Sequence, residues 1–318
     1  MKRREFIQKS GQTAAGLSLL GLLSSCNLVT TKKPNSTPKD ASKLFFKISL
    51  AQWSLHKAML SGEMTTLDFA KQSRIHGCEG LEYVSALFKN KAKDSSFLTE
   101  LNNLAKNEGQ QNLLLMIDGE GELAQPNHKS RMTSIENHYK WVEAANFMGC
   151  HSIRVNLGGG KNMEEAAKHG IDSLNKLASF AQGSNVNILV ENHGGFSSDG
   201  KWMQQIFENV SMKNIGTLPD FGNFCIAKND QNSCLKEYDK YKGVKELMPF
   251  AKAVSAKSYG FNAEGEESQI DYRKMLTLVK EANYSGFIGI EFEGDQVSES
   301  KGIELTRNLL INIGNELS

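Results

Sequence analysis

The stretch Asn187-Ile188-Leu189-Val190-Glu191-Asn192-His193-Gly194-Gly195 holds an unbroken apolar run that ends in a carboxylate, an amide, an imidazole and two glycines. A short apolar run bounded by turn formers reads as a strand buried on both faces, the habit of strands in parallel sheets. An amphipathic pattern follows at Trp202–Asn209, and a second short strand, Ile215–Asp220, again ends in a carboxylate. A strand, a helix and a strand in this order make a parallel unit with a right-handed crossover.

The same unit repeats in both directions. Strand patterns fall at Phe45–Leu55, Gly80–Val84, Leu113–Asp118, Ser152–Asn156, Ala253–Tyr259 and Phe287–Glu293, besides the two above. Helical patterns lie between and after them at Thr65–Ile75, Ser95–Lys106, Lys129–Met148, Met163–Ala181, Lys236–Phe250, Tyr272–Ala282 and Glu299–Glu316. Gly77, Gly109, Gly149 and Gly286 each follow a periodic run closely, where a left-handed helix cap is wanted. Eight strands alternating with eight helices predict an α/β fold, a (β/α)8 TIM barrel over residues 45–318. An open doubly wound sheet is disfavoured, because no glycine-rich phosphate turn follows the first strand.

The N-terminal part reads differently. Met1-Lys2-Arg3-Arg4-Glu5-Phe6-Ile7 carries a twin arginine before an apolar pair, the pattern of a twin-arginine export signal. The apolar stretch Thr13–Leu23 has the length of a signal core and is too short for a membrane span. Leu23-Ser24-Ser25-Cys26 resembles a lipobox, so residues 1–26 are expected to be a leader and Cys26 the acylated residue; ordinary cleavage is the alternative. Residues 27–44 have tether composition. An exported periplasmic or cell-envelope lipoprotein, held to a membrane through Cys26, is the expectation. Of the formal net charge of +1, +6 falls in residues 1–44, leaving residues 45–318 at about −5 and arguing against a nucleic-acid face.

Cys78, Cys150, Cys225 and Cys234 form no CxxC pair. An oxidising compartment permits a Cys225–Cys234 disulfide, but free buried thiols are the reading preferred from sequence.

In a parallel barrel alternate residues point inward and the active site sits at the C-terminal strand ends. Strand ends there present Glu82 from the second strand, Asp118 from the third, and Arg154 and Asn156 from the fourth, and inward parity collects Leu189, Glu191 and His193 from the fifth. It adds Leu218 and Asp220 from the sixth, Ser255 and Lys257 from the seventh, and Gly289, Glu291 and Glu293 from the eighth. Buried carboxylates cost several kcal/mol each unless they are paired or bind a cation, so their gathering at one mouth points to function.

The segments Glu191-Asn192-His193-Gly194-Gly195, Asp220-Phe221-Gly222-Asn223-Phe224 and Ile290-Glu291-Phe292-Glu293-Gly294 resemble the sugar phosphate isomerase/epimerase family of xylose-isomerase-like barrels. The opening Ser49-Leu50-Ala51-Gln52-Trp53-Ser54-Leu55 is similar to that family's first strand, so the resemblance spans residues 45–318. It implies a divalent cation, Mn2+ or Mg2+, held by Glu, Asp, His and Glu; Glu191, Asp220 and Glu291 match three of these. Ser255 stands where the family often has His, which leaves the fourth ligand open between water, His193 and a loosely held ion.

Isomerising a keto sugar requires taking a proton from a carbon next to a carbonyl and returning it elsewhere. Glu191 and Glu291 are the expected base and acid, Asp220 a metal ligand, and Lys257 the group that polarises the carbonyl or departing oxygen, unless it serves as a salt bridge to Asp220 or Glu291; both roles are compatible. Trp53 either stacks on a sugar face or packs. His193 binds a sugar hydroxyl, binds the metal, or is structural. Arg154 either neutralises an anionic substrate or, the reading preferred, pairs with Glu82 or Glu191. His56, Glu82 and Asn223 are placed at the mouth. Loops Asn262–Ser268 and Pro126–Arg131 are the expected carriers of specificity.

Three readings of function follow. The first is an exported isomerase or epimerase acting on a free carbohydrate through an enediolate with a divalent metal. The second uses the same site as a lyase or hydratase on 3-keto-glycosides. The third is a carbohydrate-binding lipoprotein without turnover. A DNA-repair relative of the fold is excluded, because it needs a His-rich multi-zinc cluster, and xylose isomerase proper would need a second metal site.

Overall fold

The computed structural model describes residues 44–318. The leader, Cys26 and the tether up to residue 43 lie outside the described residues.

Eight parallel strands form the barrel: β1 (Lys47–Ala51), β2 (Gly80–Val84), β3 (Gln111–Met116), β4 (Ser152–Val155), β5 (Asn187–Glu191), β6 (Ile215–Leu218), β9 (Val254–Ser258) and β10 (Phe287–Phe292). A short antiparallel hairpin, β7 (Cys225–Lys228) with β8 (Cys234–Glu237), is inserted between β6 and β9. The sheet runs β6-β5-β4-β3-β2-β1-β10-β9. Its two outer strands meet through bridges between Thr217 and Ala251 and between Asp220 and Ser255, which curl the sheet round on itself. The helices are α1 (His56–Leu60), α2 (Phe69–Ile75), α3 (Ser95–Asn107), α4 (His128–Met148), α5 (Met163–Ala181), α6 (Gly200–Phe207), α7 (Lys240–Leu247), α8 (Tyr272–Glu281) and α9 (Glu299–Leu317).

Two cores result. Outward-facing strand residues and the apolar helix faces make the large one, including Leu50, Leu81, Ile153, Ile188, Val190, Ile288 and Ile290. Ala51, Val84, Leu114, Met116, Leu189, Leu218 and Ala253 make a second, inside the barrel. The strand-to-helix loops end on caps: the side chains of Asp94, Asn127, Asn162, Asp199, Asp239, Asp271 and Ser298 accept from the first turns of α3 to α9. Each such cap stabilises by about 1 kcal/mol and fixes where a loop leaves the C-terminal face.

Four expectations are corrected. The first strand stops at Ala51, because the chain turns into a 3₁₀ helix, Gln52–Leu55, which brings Trp53 over the mouth. The helix expected at Lys236–Phe250 begins at Lys240, since Cys234–Glu237 pairs with Cys225–Lys228 and Asp239 caps the helix on Lys242 N. Cys225 and Cys234 are joined in a disulfide rather than free. The hairpin is polar and largely exposed, so it offers no core in which to bury thiols, while its pairing holds the two Cα atoms 5.7 Å apart. Cys78 and Cys150 are the buried free thiols, each pushed up to about 12 by burial. Finally, Gly149 has the left-handed φ of 74° expected of a helix cap, but after α8 that conformation falls to Asn283, φ 56°, and not to Gly286.

Candidate active site

Register places the inward side chains in layers. Ser49 is paired with Gly289, Gly289 with Ser255, Glu291 with Lys257, Met116 with Arg154 and Glu191 with Leu218. The strand ends therefore present Arg154, Glu191, Lys257 and Glu291 together, and Asp220 joins them just beyond β6.

Glu191, Asp220 and Glu291 are all buried, and one carboxylate oxygen from each lies within 4.8 Å of the other two. Glu191 Oε1 accepts from Asn223 Nδ2 at 3.2 Å. Its Oε2 lies 2.9 Å from Arg154 Nε, but the approach is misaligned and leaves both atoms without a hydrogen bond. Arg154 is held on its other side by Asp118, Nη1 to Oδ1 2.8 Å. Asp118 also accepts from Asn156 Nδ2 at 2.9 Å. The expected alternative of an Arg154 pair with Glu82 is not what forms.

Asp220 Oδ1 accepts from the backbone N–H of Gly222 and Asn223 at 2.7 and 2.8 Å. Asn192 clamps this turn: its Nδ2 donates to the Asp220 carbonyl at 3.0 Å and its Oδ1 accepts from Asp220 N at 2.8 Å. Asp220 Oδ2 faces Ser255 Oγ at 2.9 Å and Lys257 Nζ at 3.7 Å. Ser255 Oγ also lies 2.8 Å from Glu291 Oε2, so one hydroxyl proton is shared between two carboxylates. Lys257 Nζ is 2.9 Å from Glu291 Oε1 and 2.9 Å from Glu293 Oε2. Its stem passes over residue 222, where a β-carbon would stand 2.8 Å from Lys257 Cγ, and only glycine leaves that room.

Burial raises Glu191 and Asp220 to about 7 each; the Glu291 charge adds to the rise in both, while Lys257 opposes it in both and Arg154 opposes it in Glu191. Burial works against the charge of Lys257 too, yet the carboxylates of Glu291, Asp220, Glu293 and Glu191 outweigh it and lift its ammonium well above the ordinary lysine range. Glu82 lies deeper. Ser49 Oγ donates to its Oε1 at 2.6 Å, its Oε2 has no partner, and burial raises it to about 8. Burial thus favours the neutral form of Glu82.

A cavity of about 330 Å³ opens at this end, lined by Trp53, Val84, Ala86, Asp118, Arg154, His193, Glu291 and Glu293. That is the lower end of the volume range of small-ligand sites. The Trp53 indole donates to Glu293 Oε1 and stacks on His56, ring centroids 4.8 Å apart. His193 sits exposed at the rim with its backbone N–H on Ser197 Oγ, 3.0 Å away.

Of the residues named from sequence, Trp53, Asp118, Arg154, His193, Glu291 and Glu293 line the cavity, Glu191, Asp220 and Lys257 are buried beside them, Asn223 reaches the site through Glu191, Glu82 lies deeper, and His56 contacts Trp53. Asn192 and Ser49 were not singled out from sequence, and Glu293 was placed at the mouth without a role. Inward parity with Glu291 marks Glu293; nothing local marks Asn192 or Ser49, whose partners come from other strands. Glu267 was missed as well: its carboxylate accepts from the backbone N–H of Tyr259, Gly260, Gln269 and Ile270 and shapes the loop after β9. Much of Pro126–Arg131, read as a loop, is the first turn of α4.

The donor set fits a divalent cation. Three carboxylates offer hard oxygens, Glu191 Oε2 has no hydrogen-bond donor, and the surrounding cations number two against five carboxylates counting Asp118 and Glu293.

A family model described as xylose isomerase-like TIM barrel matches residues 70–312. Among solved structures, the chain is similar to a D-tagatose 3-epimerase-like protein, with TM-score 0.66 and 15% identity over 86% of this chain and 100% of that one. It is similar to a xylose isomerase-like TIM barrel protein from Mycobacterium smegmatis in complex with magnesium, with TM-score 0.63 and 12% identity over 88% and 99%. It is similar also to 3-keto-D-glucoside 4-epimerase YcjR from E. coli, with TM-score 0.59 and 13% identity over 83% and 98%. No curated protein sequence matches it.

Proposed function

The chain belongs to the xylose isomerase-like TIM barrel family, and from that premise we propose that it isomerises or epimerises a free sugar by moving a proton next to a carbonyl. The observation that carries the reading is the convergence of Glu191, Asp220 and Glu291 within 4.8 Å beside a cavity of sugar size. One of Glu191 and Glu291 takes the proton from carbon, the C–H electrons pass into an enediolate, and the other carboxyl returns a proton at a different carbon or face. No oxidant or reductant is consumed. Burial serves this exchange, because a carboxyl raised to about 7 can both accept and give a proton near neutral pH. Lys257 and Arg154 supply fixed positive charge to the developing oxyanion.

Glu191, Asp220 and Glu291 would hold the cation, and the oxygen set favours Mg2+ or Mn2+. When bound it polarises the carbonyl as a Lewis acid. The magnesium complex of the similar Mycobacterium smegmatis protein is consistent with this choice.

The proposed enzyme works outside the cytoplasm, tied to a membrane through a lipid on Cys26 and the segment 27–44, on a sugar without phosphate. The Cys225–Cys234 disulfide supports that location, since such bonds persist in oxidising compartments. A second reading, a lyase on 3-keto-glycosides, is favoured by Lys257, whose ammonium beside Glu291 is placed to assist departure of a glycosidic oxygen.

The test is solvent-deuterium incorporation, followed by NMR, into a panel of keto sugars and 3-keto-glycosides. Exchange by the wild type that falls about 100-fold or more in Glu191→Gln and Glu291→Gln supports the proposal. Release of an aglycone selects the second reading. Sugar binding without exchange in the wild type overturns both in favour of a binding protein.

A further inference from the structure

Strand β9 delivers two side chains to the same pair of carboxylates. Ser255 Oγ bridges Asp220 Oδ2 and Glu291 Oε2, and two residues later Lys257 Nζ approaches Asp220 Oδ2 and Glu291 Oε1. Both carboxylates belong to the triad that can hold a metal. Asp220 Oδ1 is already taken by two backbone N–H groups, so Oδ2 is the oxygen left for any cation, and it is the one that Lys257 faces. The Lys257 stem is buried and threaded over Gly222, so the ammonium cannot leave for solvent. A third carboxylate remains to it. Glu293 lies outside the triad, its side chain is 29% exposed, and its Oε2 is 2.9 Å from Nζ while the Trp53 indole holds Oε1.

We propose that Lys257 is a tethered cation competing with a divalent ion for Asp220 and Glu291, and that Glu293 is the counter-ion on which its ammonium is kept when the ion is bound. The inference rests on the metal-dependent reading above. Its physical basis is plain: a divalent ion and an ammonium on the same oxygens repel strongly in a buried site, whereas a carboxylate on the far side of the ammonium offsets that repulsion. An ammonium has three donors, and loss of two partners leaves it one charged partner instead of none. Lys257 and Glu293 are thereby positioning residues for the cation, and the chain trades affinity for a site whose negative charge is partly offset without it.

The experiment measures Mn2+ dissociation constants by calorimetry on the chelator-treated full chain and on Lys257→Met, Glu293→Gln and the double variant, with thermal melts of each as a folding control. Lys257→Met is expected to bind Mn2+ about tenfold or more tightly than the wild type. Glu293→Gln is expected to bind severalfold more weakly, and its effect is expected to vanish in the Lys257→Met background. Should Lys257→Met not fold without metal, recovery of its melting transition by Mn2+ together with weaker binding by Glu293→Gln serves the same purpose. Wild-type binding unchanged or weakened by Lys257→Met overturns this inference alone, as does a Glu293→Gln effect that persists undiminished in the double variant. Failure of every variant to take up Mn2+ overturns it together with the metal-dependent reading.

Discussion

Both carboxylate oxygens of Glu82 lie 2.5 Å from the point where a β-carbon on Gly289 would stand. The second strand's acid thus reaches past Ser49 on β1 and occupies the room left by a missing side chain on β10, two residues below Glu291. Gly289→Ala is expected to destabilise the barrel by about 1–3 kcal/mol through overpacking. Glu82→Ala combined with Gly289→Ala is expected to cost less than the sum of the two single changes, because the first removes what the second collides with. Urea unfolding of the three variants checks this, and strict additivity would count against the contact.

Glu82 also predicts a pH dependence. Its carboxyl, pushed by burial from 4.5 to about 8, holds a proton more tightly folded than unfolded. That stabilisation is fully present below about pH 4.5 and is lost as the pH rises through 8. Glu82→Gln stays neutral throughout. Its unfolding free energy relative to the wild type is therefore expected to rise between pH 4.5 and 8, by roughly 3–5 kcal/mol in all. A constant difference across that window would show that Glu82 titrates normally.

Arg154 is the counter-charge of two carboxylates, Asp118 and Glu191, and is itself buried. Arg154→Met is expected to lower stability by about 3–5 kcal/mol at pH 8, the cost of leaving buried charge unpaired. The loss is expected to shrink as the pH falls below about 7, where Glu191 takes a proton. Denaturant melts at pH 8 and pH 5.5 distinguish this from lost packing, which would cost the same at both.

Asp220→Ala removes one third of the carboxylate triad and the partner of two backbone N–H groups. Elemental analysis is expected to find the divalent ion of the wild type absent from this variant. Equal metal content in both proteins would place the ion elsewhere.

The Cys225–Cys234 disulfide closes a short exposed hairpin. Cys225→Ser with Cys234→Ser is expected to cost at most about 3 kcal/mol of global stability, since the loop is short. Faster hydrogen exchange is expected to be confined to residues 225–237. Peptide mapping without reductant, in which the two cysteines fail to appear as one linked species, would contradict the bond.

The repeat of strands and helices, and hence the barrel, was legible because each strand is a compact apolar run and each helix has its own period; these signals are local. The mouth was legible for a related reason. Alternation along a strand is local too, so once parallel strands are inferred, Glu191, Asp220, Lys257 and Glu291 are assigned to the same end. The hairpin at 225–237 was not legible, because four-residue strands in a polar segment carry no periodicity, and their pairing depends on each other rather than on a core. Asn192 escaped notice for the same kind of reason, as its partners are backbone atoms at and just beyond a different strand end.

The sequence by itself determined the eightfold alternation, the polarity of one barrel end and the set of carboxylates gathered there, since all three follow from patterns within single segments. Only the tertiary structure decided which carboxylate takes which cation. Arg154 goes to Glu191 and Asp118 rather than Glu82, Lys257 stands among three acids, and Glu82 is left to Ser49 and the space above Gly289. Those pairings are set by register between strands and by the room that glycines leave, quantities that exist only after the chain has closed on itself.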